Sequence, residues 1–84
     1  MTSQHRFDVR RVAVAPGCAL AYDEADWRGA LVVVEQGRIE VEGIGGGRRT
    51  FERGSVLWLA SLPLRALRNH GPERVVMVTF RRRR

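Results

Sequence analysis

The chain has 84 residues and a formal net charge of +6, since fifteen arginines and no lysines stand against nine acids. A chain this short buries only about 60 to 65% of its unfolded surface, so we expect one domain with a thin core. A hydrophobic fraction of 44% argues against disorder. The longest apolar-rich run, residues 56–64, is far shorter than the roughly 20 residues of a membrane-spanning helix.

Short runs rich in valine, leucine, isoleucine and aromatic residues recur along the chain and alternate with turn signals. No segment sustains the 3.6-residue hydrophobic period of an amphipathic helix. The pattern therefore predicts an all-β fold of eight short strands, the strand count of a two-sheet jelly roll. The predicted strands span residues 7–15, 18–24, 29–35, 38–44, 48–52, 55–59, 64–69 and 74–80.

These strands are of two kinds. Residues 38–44, with the sequence RIEVEGI, alternate between apolar and charged side chains, as in a strand with one face on the core and one in water. The runs LVVV at 31–34 and VLWL at 56–59 are apolar at every position. Strands of this second kind are covered on both faces, so we expect a second sheet or a partner chain over them.

The sequence offers no strong catalytic or zinc-binding motif. Its histidines, His5 and His70, lie in a terminal segment and in a predicted turn, and no CxxC, HxH or HExxH spacing occurs. Gly45–Gly47 is followed by a predicted strand and not by the helix that a phosphate loop needs. We therefore interpret these glycines as a hairpin loop.

One stretch resembles a known family. Residues 54–69 read GSVLWLASLPLRALRN, and the spacing from Gly54 to Asn69 resembles the second signature motif of the cupin superfamily. Residues 32–43, VVVEQGRIEVEG, are similar to a typical cupin hairpin. The resemblance extends over about residues 20–80 and implies a small jelly-roll barrel with a ligand pocket inside. We therefore expect a small cupin-like barrel over residues 1–80.

The metal ligands of that family are not matched. The position four residues before the motif's asparagine holds a histidine in cupins and Arg65 here. If Gly37 ends the first motif, its glutamate position falls on Ala30 and its histidine positions fall within residues 23–26, which include no histidine. A guanidinium repels a divalent cation and is not deprotonated. We therefore predict a protein without metal or other cofactor.

The same resemblance predicts where a pocket would lie. If Arg65 points into the barrel, the carboxylates of Glu24 or Asp26 lie opposite and can pair with it, in place of a metal. The alternative is that Arg65 stays free to bind an anionic ligand. Tyr22 and Trp58 complete the candidate ligand-binding residues.

Three functions fit this reading. The first is a metal-free cupin-like protein that binds or senses a small molecule, with an anionic one as the sharper hypothesis. The second is an isomerase- or cyclase-type enzyme working without metal, with Tyr22, Glu24 or Asp26 as acid or base and Arg65 as electrostatic stabiliser. The third is a small nucleic-acid-binding barrel that uses its arginine tail, which the near-balanced charge of the barrel disfavours.

The two ends of the chain lead to predictions about the basic tail, the oligomeric state and the cellular location. Residues 81–84 are all arginine, whereas residues 1–80 carry eleven arginines against nine acids. We expect residues 81–84 to be a basic tail after the last strand, which ends at Phe80. We also expect a homodimer, with residues 7–15 at the interface. The single Cys18 and the lack of an apolar N-terminal stretch favour a cytoplasmic location.

Overall fold

A computed structural model describes residues 7–60 and 62–82. These residues form eight strands and one helical turn, which confirms the predicted all-β class. The strands are β1 (Phe7–Val14), β2 (Ala19–Ala21), β3 (Ala30–Gln36), β4 (Arg38–Gly43), β5 (Arg48–Glu52), β6 (Val56–Trp58), β7 (Leu64–Arg68) and β8 (Val75–Arg82), and the helix is α1 (Glu24–Trp27).

The strands form two antiparallel four-stranded sheets that pack face to face. Sheet A has the order β1-β8-β3-β6, and sheet B has the order β2-β7-β4-β5. The core lies between them, because each strand sends alternate apolar side chains inward. Its buried members are Val14, Trp27, Val32, Val34, Ile39, Val41, Leu57, Leu59, Leu67, Val75 and Met77.

Gly37 carries the chain from sheet A to sheet B. It joins β3 to β4 with a φ of 75°, a left-handed conformation that glycine adopts at little cost. A Cβ at this position would lie 2.9 Å from the Arg74 carbonyl oxygen and 3.1 Å from the Val75 side chain. The crossing therefore requires glycine for both conformation and space.

Asn69 ties the two sheets together close to this crossing, where the loop at residues 71–73 lies beside Gly37 and Arg38. Its side chain is buried, and its Nδ2 donates to the carbonyl oxygens of Val14 and Glu73, each at 2.9 Å. Its Oδ1 accepts from the Gly71 amide at 2.9 Å, and its backbone amide donates to the Cys18 carbonyl. An amide side chain supplies both the donors and the acceptor that this junction requires. The motif asparagine is thus structural.

The predicted strand over residues 18–24 is wrong beyond Ala21. The chain turns into α1 instead, because the Asp23 carboxylate accepts from the Ala25 amide at 3.0 Å and caps the first turn. Trp27 at the end of this turn is buried and stacks on Tyr22, with 6.4 Å between the ring centroids. No helix within the described residues is long and apolar enough to cross a membrane.

The predicted end of the last strand at Phe80 is also wrong. Strand β8 continues to Arg82, with Arg81 opposite Asp8 on β1. The Arg81 guanidinium donates to the carbonyl oxygens of Ala25 and Asp26 and so anchors α1 over this end of the sandwich. The apolar pattern stops earlier because strand pairing uses backbone groups, which arginine supplies like any other residue. Residues 83 and 84 of the predicted tail lie outside the described residues.

Candidate ligand-binding cleft

The side chains predicted to line one pocket do not converge. The Tyr22 hydroxyl donates to the Leu59 carbonyl oxygen at 3.4 Å, and its ring is half-buried against Trp27. Glu24 and Asp26 are exposed on α1. Tyr22, Glu24 and Asp26, the acid and base candidates of an enzyme site, do not line the cleft that opens beside β6.

Arg65 does not pair with Glu24 or Asp26, and its predicted position inside the barrel is wrong. Its side chain is exposed, and its Nη2 donates to the carbonyl oxygen of Ile44 at 3.0 Å. The cause is a register shift between β4 and β7. Ala66 lies opposite Glu42 and Leu64 lies opposite Gly43, so Arg65 is left without a partner across the ladder. Such a bulge redirects a side chain away from the face that simple alternation assigns to it.

Trp58 lies at the edge of the fold. It is 56% exposed on β6, directly opposite Leu31 of β3, whereas its neighbour Leu57 is buried in the core. Since successive side chains of a strand point to opposite faces, the indole lies on the outer face of sheet A. Trp58 nevertheless borders the cleft that opens beside β6.

That cleft lies where the edges of the two sheets face one another. Strands β5 and β6 are edge strands of different sheets, so the sandwich is open on this side. The opening has a volume of about 510 Å³. Its walls are mostly apolar, and they are formed by Val41, Gly43, Gly47, Arg48, Arg49, Phe51, Val56, Leu57, Trp58, Leu59, Leu62, Pro63 and Leu64.

Arg49 is the charged residue that strand register directs toward the cleft. It lies directly opposite Val41, which faces the core, and it shares this inner face of β5 with Phe51. Arg48 alternates to the outer face, opposite Glu42. Within residues 7–60 and 62–82, the Arg49 side chain has no hydrogen-bond or ion-pair partner. Its five donors are thus available to a ligand.

The arrangement suits binding better than proton transfer. An apolar wall beside a guanidinium can hold a molecule with an apolar body and a carboxylate or phosphate group. Among the candidate acids and bases, burial raises the pKa of Tyr22, and the nearby Glu24 and Asp23 carboxylates raise it further. Its phenol therefore stays protonated at neutral pH and hydrogen-bonded to Leu59.

The donor set does not fit the metal that a cupin barrel commonly carries. Among the described residues, no group of three or more histidine, cysteine, aspartate or glutamate side chains could hold a metal ion. Ala30, at the expected glutamate position, is buried among apolar core residues. Arg65, at a histidine position, bonds to a backbone carbonyl instead. The described residues at these positions therefore do not supply the ligand set of a cupin metal centre.

Arg49 and Phe51 were not predicted as site residues from the sequence. The signal was present, because the run RRTFE follows the glycine loop and must pair back onto RIEVEG. That hairpin register places Phe51 opposite Ile39 and Arg49 opposite Val41, on the core side. Charged residues beside a turn most often lie in water, so the arginines of this hairpin do not stand out in the sequence.

Comparison with known proteins supports the fold. No protein-family model and no curated protein matches the sequence. A cupin 2 conserved barrel domain protein from Salinispora arenicola superposes on 95% of the chain with a TM-score of 0.72 and 22% identity, and the chain spans 66% of that protein.

Two other solved structures are similar over most of the chain. The cupin_2 domain of an XRE family transcriptional regulator from Enterobacter cloacae has 25% identity and a TM-score of 0.64, with 94% of this chain and 84% of that one covered. Ectoine synthase from P. lautus has 22% identity and a TM-score of 0.59, with 89% and 54% covered. The protein has a small all-β cupin-like fold.

Proposed function

We propose that the protein is a metal-free cupin-like module that binds or senses a small anionic molecule in the cleft between β5 and β6. The ligand carries a carboxylate or phosphate at Arg49 and an apolar body along the adjoining wall. The observation that carries this proposal is the position of Arg49, an unpartnered guanidinium within the described chain, at an otherwise mostly apolar opening of about 510 Å³.

The surroundings of Arg49 support an anionic ligand. A charge-assisted hydrogen bond to a guanidinium is about twice as strong as a neutral one, and two parallel bonds fix the orientation of the anion. The apolar wall then contributes about 25 cal/mol for each Å² of ligand surface that it buries. Binding without chemistry also agrees with the absence of Tyr22, Glu24 and Asp26 from the cleft lining.

Decanoate and decanol test this proposal as a matched pair of probes, because they share an apolar chain and differ in the anionic group. Isothermal titration should detect decanoate binding and a several-fold weaker interaction with decanol. Replacing Arg49 with glutamine should weaken decanoate binding roughly fivefold, a loss typical of one partly exposed charge pair. Decanol binding should change little.

The matched control is Arg53→Gln, which removes the same charge outside the cleft lining. Decanoate affinity should stay close to that of the wild type. Equal losses in both variants would show that net charge alone attracts the anion, and the proposed site would then be wrong. Absence of decanoate binding to the wild type would contradict an amphiphilic ligand.

We propose two further properties of the protein. The protein acts as a homodimer, because a chain of this length forms a thin core and sheet A is apolar on both faces. It acts in the cytoplasm, in keeping with its single cysteine, Cys18. Nucleic-acid binding is not favoured, since Arg81 of the basic C-terminal run is engaged with backbone carbonyls of α1.

A further inference from the structure

The outer face of sheet A, which points away from the core, carries a concentration of exposed apolar side chains. Seven large hydrophobic residues are exposed in the described chain, and five of them belong to strands of this sheet. The five are Phe7, Val9, Leu31, Val56 and Trp58. The other two, Ile44 and Leu62, lie in loops.

Strand register makes this apolar surface continuous. Val9 lies opposite Phe80, Phe80 opposite Leu31, and Leu31 opposite Trp58. One row of apolar side chains therefore crosses all four strands. The next row on the same face continues it with Val78, Val33 and Val56.

The charged side chains in the middle of this face neutralise each other. Arg11 on β1 bonds to Glu35 on β3, with its Nε 3.2 Å from Oε1, so the pair spans the intervening strand β8. The pair lies over Val76 and Val78, which are buried although they alternate to the outer side. The face thus presents an apolar surface without net charge at its centre.

We infer that this face docks onto the same face of a second copy of the chain. The proposal rests on the homodimer proposed above and assigns its interface. Two copies of a chain with a net charge of +6 repel each other, and an uncharged patch is where they can approach. An anionic partner would instead be drawn to the arginines outside this face.

The outer face of sheet A is large enough to form the centre of an interface with a second copy of the chain. Four strands about 4.8 Å apart and six residues at about 3.3 Å each give a projected area of roughly 400 Å². A patch of that size marks an interaction site on a small protein. It accounts for about half of what one partner buries in a standard interface, and the proposed dimer also buries a polar margin around it. In a two-fold dimer the same patch serves both copies.

Light scattering of the purified full chain tests the assignment. The wild type should have the mass of two chains, and the variants Leu31→Glu and Val9→Glu should each have the mass of one. Both residues are at least 40% exposed in the single chain, so each variant should fold, which circular dichroism verifies. The control is Ile44→Glu, because Ile44 is 59% exposed but lies outside this face. Its mass should remain that of two chains.

The possible outcomes test this interface separately from the homodimer and from the ligand-binding cleft. A wild type with the mass of one chain at every concentration overturns both the homodimer and this interface. A dimeric wild type whose Leu31→Glu and Val9→Glu variants also remain dimeric overturns the interface alone. Decanoate binding should persist in the Val9→Glu variant, since Val9 lies on β1, at the edge of sheet A opposite the β6 edge where the cleft opens, and so the ligand proposal stands or falls independently.

Trp58 fluorescence provides a second measurement on the unmodified protein. Trp58 is exposed in the single chain and Trp27 is buried, so dilution should shift the emission to longer wavelength as the dimer dissociates. An emission maximum that stays constant while the scattering mass halves would place the interface elsewhere.

Discussion

The two sheets share one core but differ on their outer faces. On sheet B, charged residues of β4 lie opposite charged residues of its neighbours, with Glu40 opposite Arg68 and Glu42 opposite Arg48. The outer face of sheet A is mainly valine, leucine and aromatic side chains around one ion pair. Sheet B therefore tolerates water on its outer side, whereas the exposed apolar area of sheet A costs free energy until another surface covers it.

The difference arises from residue patterns along the strands. Strand β4 alternates between apolar and charged residues, and strand β3 is apolar at nearly every position. Both patterns bury the same inner half in the core, so they are equivalent for folding of a single chain. The two patterns differ in the side chains that they place on the outer face of each sheet. Inner-face residues therefore hold the sandwich together, whereas outer-face residues determine whether another surface can bind there.

The largest loss of stability should come from a change at Asn69, because its side chain forms hydrogen bonds both to Val14 at the end of β1 and to the loop between β7 and β8. Replacing it with aspartate keeps the shape but sets carboxylate oxygens against the carbonyls of Val14 and Glu73, which lose their donor. We expect a loss of on the order of 2 to 4 kcal/mol in the free energy of unfolding. Urea unfolding measures it.

The neighbouring change His70→Gln is the control for Asn69→Asp. His70 is exposed, and its Nε2 lies within hydrogen-bond distance, 2.9 Å, of Glu40 Oε1 on sheet B. The unfolding midpoint of the His70→Gln variant should stay close to that of the wild type. Equal effects at positions 69 and 70 would show that the junction does not depend on the Asn69 amide.

The next effect concerns the crossing between the sheets at Gly37. Gly37→Ala should destabilise the protein by about 2 to 3 kcal/mol, since it adds a left-handed backbone penalty to a contact at 2.9 Å with the Arg74 carbonyl. Gly54→Ala has a φ of 95° but no atom near the added Cβ, and should cost about 1 kcal/mol. Thermal unfolding of the two variants measures the difference. Similar losses would mean that the space beside Gly37 relaxes.

Much of the fold could be predicted from sequence, because strand periodicity and turn residues are local signals. All eight predicted strands occur. The two errors have different causes. The helical turn α1 depends on a local signal, the Asp23 cap, together with the burial of Trp27, whereas the extension of β8 to Arg82 depends on pairing with β1. Strand β1 is distant from β8 in sequence, so local patterns do not predict that pairing.

The candidate site was less predictable than the fold. Resemblance to cupins placed Arg65 in a pocket, but a one-residue register shift between β4 and β7 turned it toward Ile44. A single bulge changes the face of the sheet on which a side chain lies, and no local sequence pattern here predicts the bulge. Arg49 was within reach of sequence reasoning, because its hairpin is regular from Arg38 to Glu42.

The smallest predicted effect tests the charged outer face of sheet B through pH. The hydrogen bond from Arg68, with Nε 2.7 Å from Oε1, holds the pKa of the Glu42 carboxyl below its usual range, and the charges of Arg68, Arg48 and Arg65 act in the same direction, although burial opposes them. Because the pKa of Glu42 is lowered in the folded state, the stability that its ionised carboxylate contributes is present above the unfolded pKa of about 4.3. This stability is lost as pH falls through the folded pKa.

Arg68→Met should therefore reduce the free energy of unfolding at neutral pH, and this variant should lose less stability on acidification than the wild type. Urea unfolding from pH 7 to pH 3 checks this, with Arg53→Met as the variant of equal charge. If both variants show the wild-type slope, the pair contributes nothing measurable, and the outer face of sheet B serves only to keep that side of the fold in water.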